Sequence, residues 1–249
     1  MERYQIILAY NGARFLGSQR QANSRTVQGV LETALRKLGW VGSSALMAGR
    51  TDTGVHATGQ VASFDLGWQH TEEALLRALN ANLPSDVAVR EVRETSSDFH
   101  PRFDATSRCY RYKLFCQPVR DPLREDFAWR LRREFDGDLL REVAPVFIGQ
   151  HDFLAYGTPP RTGSSTMRIV MKSEWHQHKD EWHYEVQANA FLYRMVRRMV
   201  FVQVAVAQGK INLDDIAHSL VGQVEAPLEN DLPAGLAPAE GLTLVEVIY

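Results

Sequence analysis

Apolar residues recur along the chain at two spacings, one typical of helices and one typical of strands. From residue 27 to residue 38 the apolar positions recur every three or four residues, with Thr26 before them and Gly39 after them. A capping residue at the start and a glycine at the end predict an amphipathic helix. Similar patterns predict four further helices, starting near residues 71, 138, 191 and 212, the last ending at Gly222. Short apolar or alternating runs predict strands over residues 3–10, 60–64, 87–92, 108–116 and 242–249.

The order of these elements favours an α+β fold. Strands and helices mix without the strict alternation of a parallel α/β protein, so we expect mainly antiparallel sheets. The charged stretch 121–137 has weak periodicity and is the expected boundary between two halves, residues 1–120 and residues 121–249. Pro145 falls inside the helix that starts near residue 138, and it should bend or shorten that helix.

Composition and length indicate a globular protein of one large domain or two small ones. The chain has 249 residues, of which 45% are hydrophobic and 23% are charged. From the scaling of surface area with mass, folding could bury roughly 73% of the surface. The longest apolar run, 199–207, is broken by Gln203 and is shorter than the ~18 residues of a membrane span. The N-terminal residues lack the basic start and apolar run of a secretory signal, so we expect a cytoplasmic protein without a membrane segment.

The two cysteines, Cys109 and Cys116, are too few for a disulfide scaffold or for a zinc site made of cysteines alone. On the strand predicted over residues 108–116 they point to opposite faces, about 23 Å apart at ~3.3 Å per residue. A disulfide between them is therefore geometrically excluded, and we expect two reduced thiols.

The net charge of the chain and the distribution of charge along it lead to different expectations. A net charge of −2 argues against a nucleic-acid partner, because nucleic-acid-binding domains usually have a pI above about 9. Residues 1–133 nevertheless carry 19 Lys and Arg against 14 Asp and Glu, and residues 134–249 carry 9 against 16. Of the 28 basic residues 23 are arginine, whose planar guanidinium suits phosphates and base edges. Arginine-favouring codon usage gives the same bias, so both explanations stay open.

The segment 49–57 is the densest in candidate chemistry. It has glycines near both ends and lies between two apolar runs, which predicts a loop. Asp52 beside Arg50 would stay ionised, as a nucleophile or base must. The alternative is an Asx-type turn in which Asp52 only closes the loop. His56 is either a general base or a residue that holds the loop through hydrogen bonds.

Two other groups invite a functional interpretation. With a two-residue loop at Lys179-Asp180, His178 faces Glu181 and His176 faces His183 on one side of a hairpin. These imidazoles could in principle hold a metal, but an ordinary hairpin with a solvated face explains the same alternation.

On the helix predicted from residue 191, three basic residues share one side, where an anionic ligand or water would neutralise their charge. They are Arg194, Arg197 and Arg198.

A series of motifs covers nearly the whole chain in a consistent order. The loop reads Arg50-Thr51-Asp52-Thr53-Gly54-Val55-His56-Ala57. Other motifs are Tyr10-Asn11-Gly12, Thr26-Val27-Gln28, Phe99-His100-Pro101-Arg102-Phe103, Tyr110-Arg111-Tyr112, His151-Asp152-Phe153, Phe191-Leu192-Tyr193-Arg194-Met195-Val196-Arg197 and Glu240-Gly241-Leu242. Together these segments resemble the bacterial tRNA pseudouridine synthase A family, whose signature is Arg-Thr-Asp-x-Gly-Val-His-Ala.

The resemblance implies a fold and an activity. The implied fold is the pseudouridine synthase fold, with two similar α/β-sandwich halves whose mainly antiparallel sheets join across a central catalytic cleft. The implied activity is an isomerase that converts uridine to pseudouridine at positions 38 to 40 of the tRNA anticodon stem-loop. The family acts as a homodimer, without cofactor or metal.

The resemblance also assigns roles to four residues. Asp52 matches the catalytic aspartate, and Arg50 matches its neighbour that pairs with it and helps to flip the base. Tyr110 matches the residue that stacks on the target uracil, and Arg197 matches the arginine expected to pair with the aspartate. His56 is then a residue of loop architecture. Whether Asp52 attacks the ring or the sugar is left open by the sequence.

The chain departs from the family pattern at a few positions, and other functions stay open. Ser18 stands where the family usually has Trp, and Phe201 and Ala207 stand where glycines are usual. One alternative is an aspartyl-phosphate enzyme, although such sites need further acids to hold Mg²⁺. The other is a non-catalytic RNA-binding module, which would use the same basic surface without needing Asp52.

Overall fold

The chain divides into two units in a computed structural model that describes residues 1–159, 161, 163–221 and 232–249. The first unit comprises Met1–Thr106 with Thr243–Tyr249, and the second comprises Ser107–Leu242. The division expected at residue 120 falls inside the second unit. In the structure the chain changes unit after Thr106, and its last strand belongs to the first unit.

The first unit contains a sheet in the order β4-β1-β3-β10, with the short strand β2 also paired to β3. All its pairings are antiparallel except β3 with β10, which is parallel. Its strands are β1 (Glu2–Tyr10), β2 (Leu46–Met47), β3 (His56–Leu66), β4 (Val87–Thr95) and β10 (Leu242–Ile248). Its helices are α1 (Val27–Lys37) and α2 (Glu72–Asn82), and α2 contacts both α1 and β4.

Both helices of the first unit are capped at their N-termini by a threonine, Thr26 for α1 and Thr71 for α2, close to the predicted starts. The Thr26 hydroxyl accepts a hydrogen bond from Gly29 N, and the Thr71 hydroxyl accepts one from Ala74 N. Gly39 follows α1 with a φ of +89°, a conformation that L-residues with a side chain rarely adopt. The predicted start and stop signals of α1 are therefore confirmed.

The second unit contains a sheet in the order β5-β9-β8-β7, with β6 paired in parallel to β5. The other pairings are antiparallel. Its strands are β5 (Ser107–Cys116), β6 (Trp129–Leu131), β7 (Gly149–Asp152), β8 (Met167–His178) and β9 (Glu181–Ala188). Its helices are α3 (Gly137–Val143), α4 (Met195–Ala207) and α5 (Leu213–Ser219). Both units thus combine helices with a mainly antiparallel sheet, which confirms the α+β class.

Two helices of the second unit differ from their predicted extents. Pro145 shortens α3 as expected, since the chain passes into a 3₁₀ turn, Ala144–Phe147. The prediction that α4 starts at Phe191 is wrong, because Arg194 has a φ of +65° and the helix begins only at Met195. Arg194 therefore does not share a helix face with the other two arginines. For α5, the predicted end at Gly222 lies outside the described residues.

The charged stretch from residue 121 is part of the second unit. The guanidinium of Arg124 lies 4.0 Å from the centre of the Phe115 ring and 2.6 Å from an oxygen of Asp180. It also pairs with Glu181 at 3.0 Å. These contacts attach the stretch to β5 and to the β8–β9 hairpin of the second unit.

The β8–β9 hairpin has the predicted register. His178 lies opposite Glu181 and His176 opposite His183, with Lys179-Asp180 as the loop. The apolar face is buried and includes Trp175, Trp182, Tyr184 and Val186. Cys109 and Cys116 are not joined by a disulfide. Among the described residues, no helix is long and apolar enough to cross a membrane.

Candidate active site

The loop that carries Asp52 connects β2 to β3 in the first unit and is held at its start. Ala48 N donates to Val61 O at 2.8 Å. The buried Gln60 side chain donates to Gly49 O at 3.0 Å. The loop is therefore fixed to the strand that follows it before the chain reaches Asp52.

Thr51, the residue before Asp52, is held by three hydrogen bonds. Its amide donates to the Ser18 hydroxyl at 2.8 Å, and its carbonyl accepts from Ser18 N at 3.1 Å. Its own hydroxyl is hydrogen-bonded to the Tyr10 hydroxyl at 2.8 Å. Burial raises the pKa of Tyr10 to about 12, so this phenol is neutral and acts only through its hydrogen bonds. The backbone that enters Asp52 thus has a fixed position.

The residues after Asp52 form a tight turn. Val55 N donates to the backbone carbonyl of Asp52 at 3.2 Å, and Gly54 has a φ of +82°. Gly12 lies so close that a Cβ built on it would be 2.0 Å from Val55 O. Gly12 N donates to His56 Nδ1 at 3.0 Å. This contact gives His56 a place in the loop architecture.

Asp52 and Arg50 differ in exposure. Asp52 is half-buried, whereas Arg50 is exposed and extends from the same loop. A carboxylate on a rigid turn can act as a nucleophile or as an electrostatic stabiliser with little reorganisation. An exposed arginine two residues away can contact phosphate or fill the space of an extruded base.

Tyr110 lies on β5 of the second unit. It is half-buried, and its ring packs edge-on against Phe191, with centroids 5.1 Å apart and planes at 85°. Two residues later the buried Tyr112 donates its hydroxyl proton to Pro238 O at 2.9 Å. Strand β5 therefore presents one tyrosine with a partly accessible ring and buries the other.

Arg197 lies in the first turn of α4 and is tied to the chain that precedes β10. Its Nε donates to Ala237 O at 2.8 Å, and Ala237 N donates to Arg197 O at 3.3 Å. Its neighbour Arg198 donates to the carbonyls of Pro233 and Gly235. Desolvation lowers the pKa of Arg198. The basic pair is thus anchored by backbone carbonyls rather than forming a freely solvated face.

Several residues that shape the candidate site were not singled out by their chemistry. Glu32 is fully buried in α1, where it pairs with Arg20 at 2.6 Å and accepts from Ala45 N at 3.2 Å. Gln28 donates to Glu32 at 3.1 Å and accepts from Arg20 N at 2.8 Å. Gln28 N donates to Ser18 O at 2.9 Å, which continues this network to Ser18, the partner of Thr51. Polar residues placed beside the apolar stripe of a predicted helix are the sequence signal for such a network.

The departures from the family pattern have packing explanations. Phe201 stacks on Trp129 at 6.5 Å with planes at 13°. It also lies against Gly235, where a Cβ would be 2.1 Å from the Phe201 ring. Ala207 is buried, and its carbonyl accepts from Asp136 N at 2.8 Å. The larger side chains at 201 and 207 are therefore accommodated within the second unit.

One group on the second sheet has the composition of a metal site. Glu174, His176 and Glu185 each place a ligand atom within 4.8 Å of the others. The Lys172 ammonium lies 2.7 Å from an oxygen of both glutamates. Because Lys172 pairs with both carboxylates and Arg111 also pairs with Glu185 at 2.7 Å, the group is best described as an ion-pair network.

Comparison with known proteins gives a consistent result. A family model described as tRNA pseudouridine synthase matches residues 6–104 and 143–249. A tRNA pseudouridine synthase A from Limosilactobacillus fermentum is 38% identical, covering 100% of this chain and 96% of the relative. One from Geobacter sp. is 38% identical, covering 100% and 99%, and one from Neisseria meningitidis serogroup B is 37% identical, covering 87% and 82%.

Solved structures give a weaker likeness. The archaeal box H/ACA sRNP Nop10-Cbf5 complex contains a chain with a TM-score of 0.40 and 13% identity, covering 86% of this chain and 53% of that one. The identification therefore rests on the family model and the full-length relatives. The chain belongs to the bacterial tRNA pseudouridine synthase A family, a family of isomerases that form pseudouridine in tRNA.

Proposed function

We propose that this protein isomerises uridine to pseudouridine at positions 38 to 40 of the tRNA anticodon stem-loop, with Asp52 as the catalytic residue. The observation that carries the proposal is the loop around Asp52. Thr51 is held by Ser18 and Tyr10, and the turn after Asp52 is closed by Val55. Such a loop holds a carboxylate ready before the substrate binds, which is what electrostatic or nucleophilic catalysis requires.

The reaction defines what the residues must do. The bond between uracil N1 and the ribose breaks, the base turns, and a bond between uracil C5 and the same ribose carbon forms. The proton on C5 is lost, N1 gains one, and there is no net oxidation or reduction. The protein must stabilise charge as the first bond breaks and keep the detached base in place.

We assign the roles accordingly. Asp52 supplies the carboxylate, and Arg197 supplies its counter-charge. Arg50 contacts the extruded nucleotide and fills the space that the base leaves, since extrusion costs a few kcal/mol. Tyr110 supplies an aromatic face for the uracil and a hydroxyl for proton transfer. The exposure of Arg50 and the partly accessible ring of Tyr110 support these roles.

The proposal includes a homodimer in the bacterial cytoplasm. The resemblance to the family supports the dimer. Cys109 and Cys116 are not joined by a disulfide, which supports a reducing compartment, because oxidising compartments favour disulfides.

The alternatives are less well supported. An aspartyl-phosphate enzyme needs further acids around the aspartate to hold Mg²⁺. The loop neighbours of Asp52 supply Arg50 and no second carboxylate. A non-catalytic RNA-binding module gives no reason for fixing the backbone on both sides of Asp52.

The positions are tested with transcripts of one tRNA that carry uridine at only one of positions 38, 39 and 40 and cytidine at the other two. We expect pseudouridine at each permitted position and none in a transcript with three cytidines. Pseudouridine formed only outside the anticodon stem-loop would contradict the proposed positions.

A further inference from the structure

Phe103 is a large aromatic side chain that the fold leaves in water. It is 75% exposed, in the turn between β4 and β5. Burying a phenylalanine side chain stabilises a fold, so the exposed ring forgoes that stabilisation. Single exposed apolar residues are common, however, so the exposure gains meaning only from how the ring is held.

The ring of Phe103 is supported by His100. The two ring centroids are 4.3 Å apart, with planes at 34°. The imidazole is itself fixed, because its Nδ1 accepts from Arg102 N at 3.2 Å and from Phe103 N at 3.4 Å. The backbone that carries the phenyl ring thus orients the imidazole beside it. Phe103 is a supported ring rather than one that samples many rotamers freely.

The turn itself is fixed at its base. His100 N donates to the Asp104 carboxylate at 2.8 Å, and Asp104 N donates to His100 O at 3.1 Å. The Tyr249 hydroxyl donates to Pro101 O at 2.9 Å, and its ring lies 5.1 Å from that of Phe99. A rigid turn loses little conformational entropy when it binds a ligand.

The polar groups of the turn suit a nucleotide. The Arg102 guanidinium lies 5.8 Å from the centre of the Phe103 ring, and a cation beside an aromatic face matches a base beside its phosphate. The Asp104 carboxylate accepts a hydrogen bond from His100 N, and the Asp98 carboxylate accepts one from the Ser96 hydroxyl. Both carboxylates are therefore engaged within the turn, and the aromatic face is the feature it offers to a ligand.

We propose that Phe103, supported by His100, is a stacking platform for an unpaired base of the substrate RNA. This inference rests on the proposed function, which supplies RNA as the ligand. Stacking is independent of base identity, because every base has a π-face. The platform would thus add affinity for tRNA without selecting its sequence.

The test compares Phe103→Ala with Val41→Ala, which truncates another exposed apolar side chain of the first unit, 80% exposed. Both changes are made in an Asp52→Ala background, so that binding is measured without turnover. For tRNA binding in moderate salt, we expect Phe103→Ala to raise Kd about tenfold, within the range for loss of one stacked base. Val41→Ala should leave Kd unchanged, and thermal unfolding should be the same for both.

A second variant gives a direct signal. In Phe103→Trp the stacked base should quench the new indole, so tRNA should reduce its fluorescence beyond the decrease in the parent protein, and Kd should stay near the parent value. An unchanged Kd for Phe103→Ala, or no additional quenching in Phe103→Trp, would overturn the proposal. So would a Phe103→Ala protein that changes its oligomeric state while binding tRNA normally, because the ring would then belong to a protein contact.

The two proposals fail in different ways. If pseudouridine forms at positions 38 to 40 while Phe103→Ala binds normally, only the stacking proposal fails. If pseudouridine forms elsewhere in tRNA while Phe103→Ala binds weakly, the stacking proposal holds and the proposed positions are wrong.

Discussion

Ser18 and Thr51 are joined by two hydrogen bonds in opposite directions. The Ser18 hydroxyl accepts from Thr51 N at 2.8 Å, and Ser18 N donates to Thr51 O at 3.1 Å. Ser18 is fully buried. This pair connects the segment that precedes α1 to the residue before Asp52, so the position of the loop that carries Asp52 depends on a residue 33 positions before Thr51.

Replacing Ser18 with alanine leaves the buried Thr51 amide without its partner. An unsatisfied buried donor costs about 1–3 kcal/mol, so we expect a loss of stability of that size in urea unfolding. Because the loop loses one of its anchors, we also expect the rate of pseudouridine formation to fall more than the affinity for tRNA.

The control for this change is Ser24→Ala, since the Ser24 hydroxyl makes an exposed, long hydrogen bond to Ala22 O at 3.4 Å. It should leave stability and rate unchanged. A Ser18→Ala protein with the stability and single-turnover rate of the parent would show that the pair does not position the loop.

Alanine substitutions at two glycines near the loop, Gly12 and Gly49, should differ sharply in their effects. A Cβ on Gly12 would lie 2.0 Å from Val55 O, whereas a Cβ on Gly49 would meet nothing within 4 Å. Gly12→Ala should therefore displace the turn after Asp52, reduce activity strongly and destabilise the protein by about 1–3 kcal/mol, the range for forcing extra atoms into a packed site. Gly49→Ala is the matched control and should retain the activity and the stability of the parent protein. Equal effects of the two changes in urea unfolding and in tRNA assays would argue against a tightly packed turn.

The ion-pair network on the second sheet predicts a pH dependence of stability. The hydrogen bond from Lys172, together with that from Arg111, lowers the pKa of Glu185 to about 2, below its ordinary 4.5. A lowered carboxyl pKa contributes stability that is complete above the unfolded-state value and is lost as the pH falls from about 4.5 towards about 2. The Glu185 side chain is 28% exposed, so solvent screening reduces the contribution to about 1–2 kcal/mol.

Glu185→Gln should therefore lower the free energy of unfolding at neutral pH and flatten its decrease between pH 4.5 and pH 2, as measured by urea unfolding across that range. Asp138→Asn is a suitable control, because its ion pair with Arg141 is on an exposed surface and contributes little. Identical pH profiles for Glu185→Gln and the parent would contradict the role of Glu185.

The elements that the sequence predicted well are those whose signals are local. Helix α1 follows from its apolar stripe and the Thr26 cap, and the β8–β9 hairpin follows from alternation around Lys179-Asp180. The start of α4 is different. The apolar stripe continues back to Leu192, but Arg194 adopts a left-handed conformation. Nothing in the local pattern marks that residue, and a β-bridge from Tyr193 to Thr158 keeps the preceding segment extended.

In the candidate site, too, the contiguous features were predictable from the sequence and the contacts between separate segments were not. The motif around Asp52 is contiguous, so the sequence alone identified it. Two of the residues that fix it are distant along the chain: Tyr10 and Ser18 reach the loop only once β1 and the segment before α1 have folded against it. Gln60 is nearer and reaches the loop once β3 has formed. In the sequence Ser18 stands out only as a departure from the family pattern, because a single serine gives no local sign that it will accept a hydrogen bond from a buried amide.

The central claim is that Asp52 is the catalytic carboxylate, and single-turnover conversion of tRNA by the parent and by Asp52→Ala tests it most directly. Enzyme is used in excess at concentrations that bind all the tRNA in both cases, with binding verified separately, and pseudouridine is mapped by position. The account predicts an unchanged Kd for tRNA and no pseudouridine above background with Asp52→Ala. Formation of pseudouridine by Asp52→Ala at the parent's rate would contradict it.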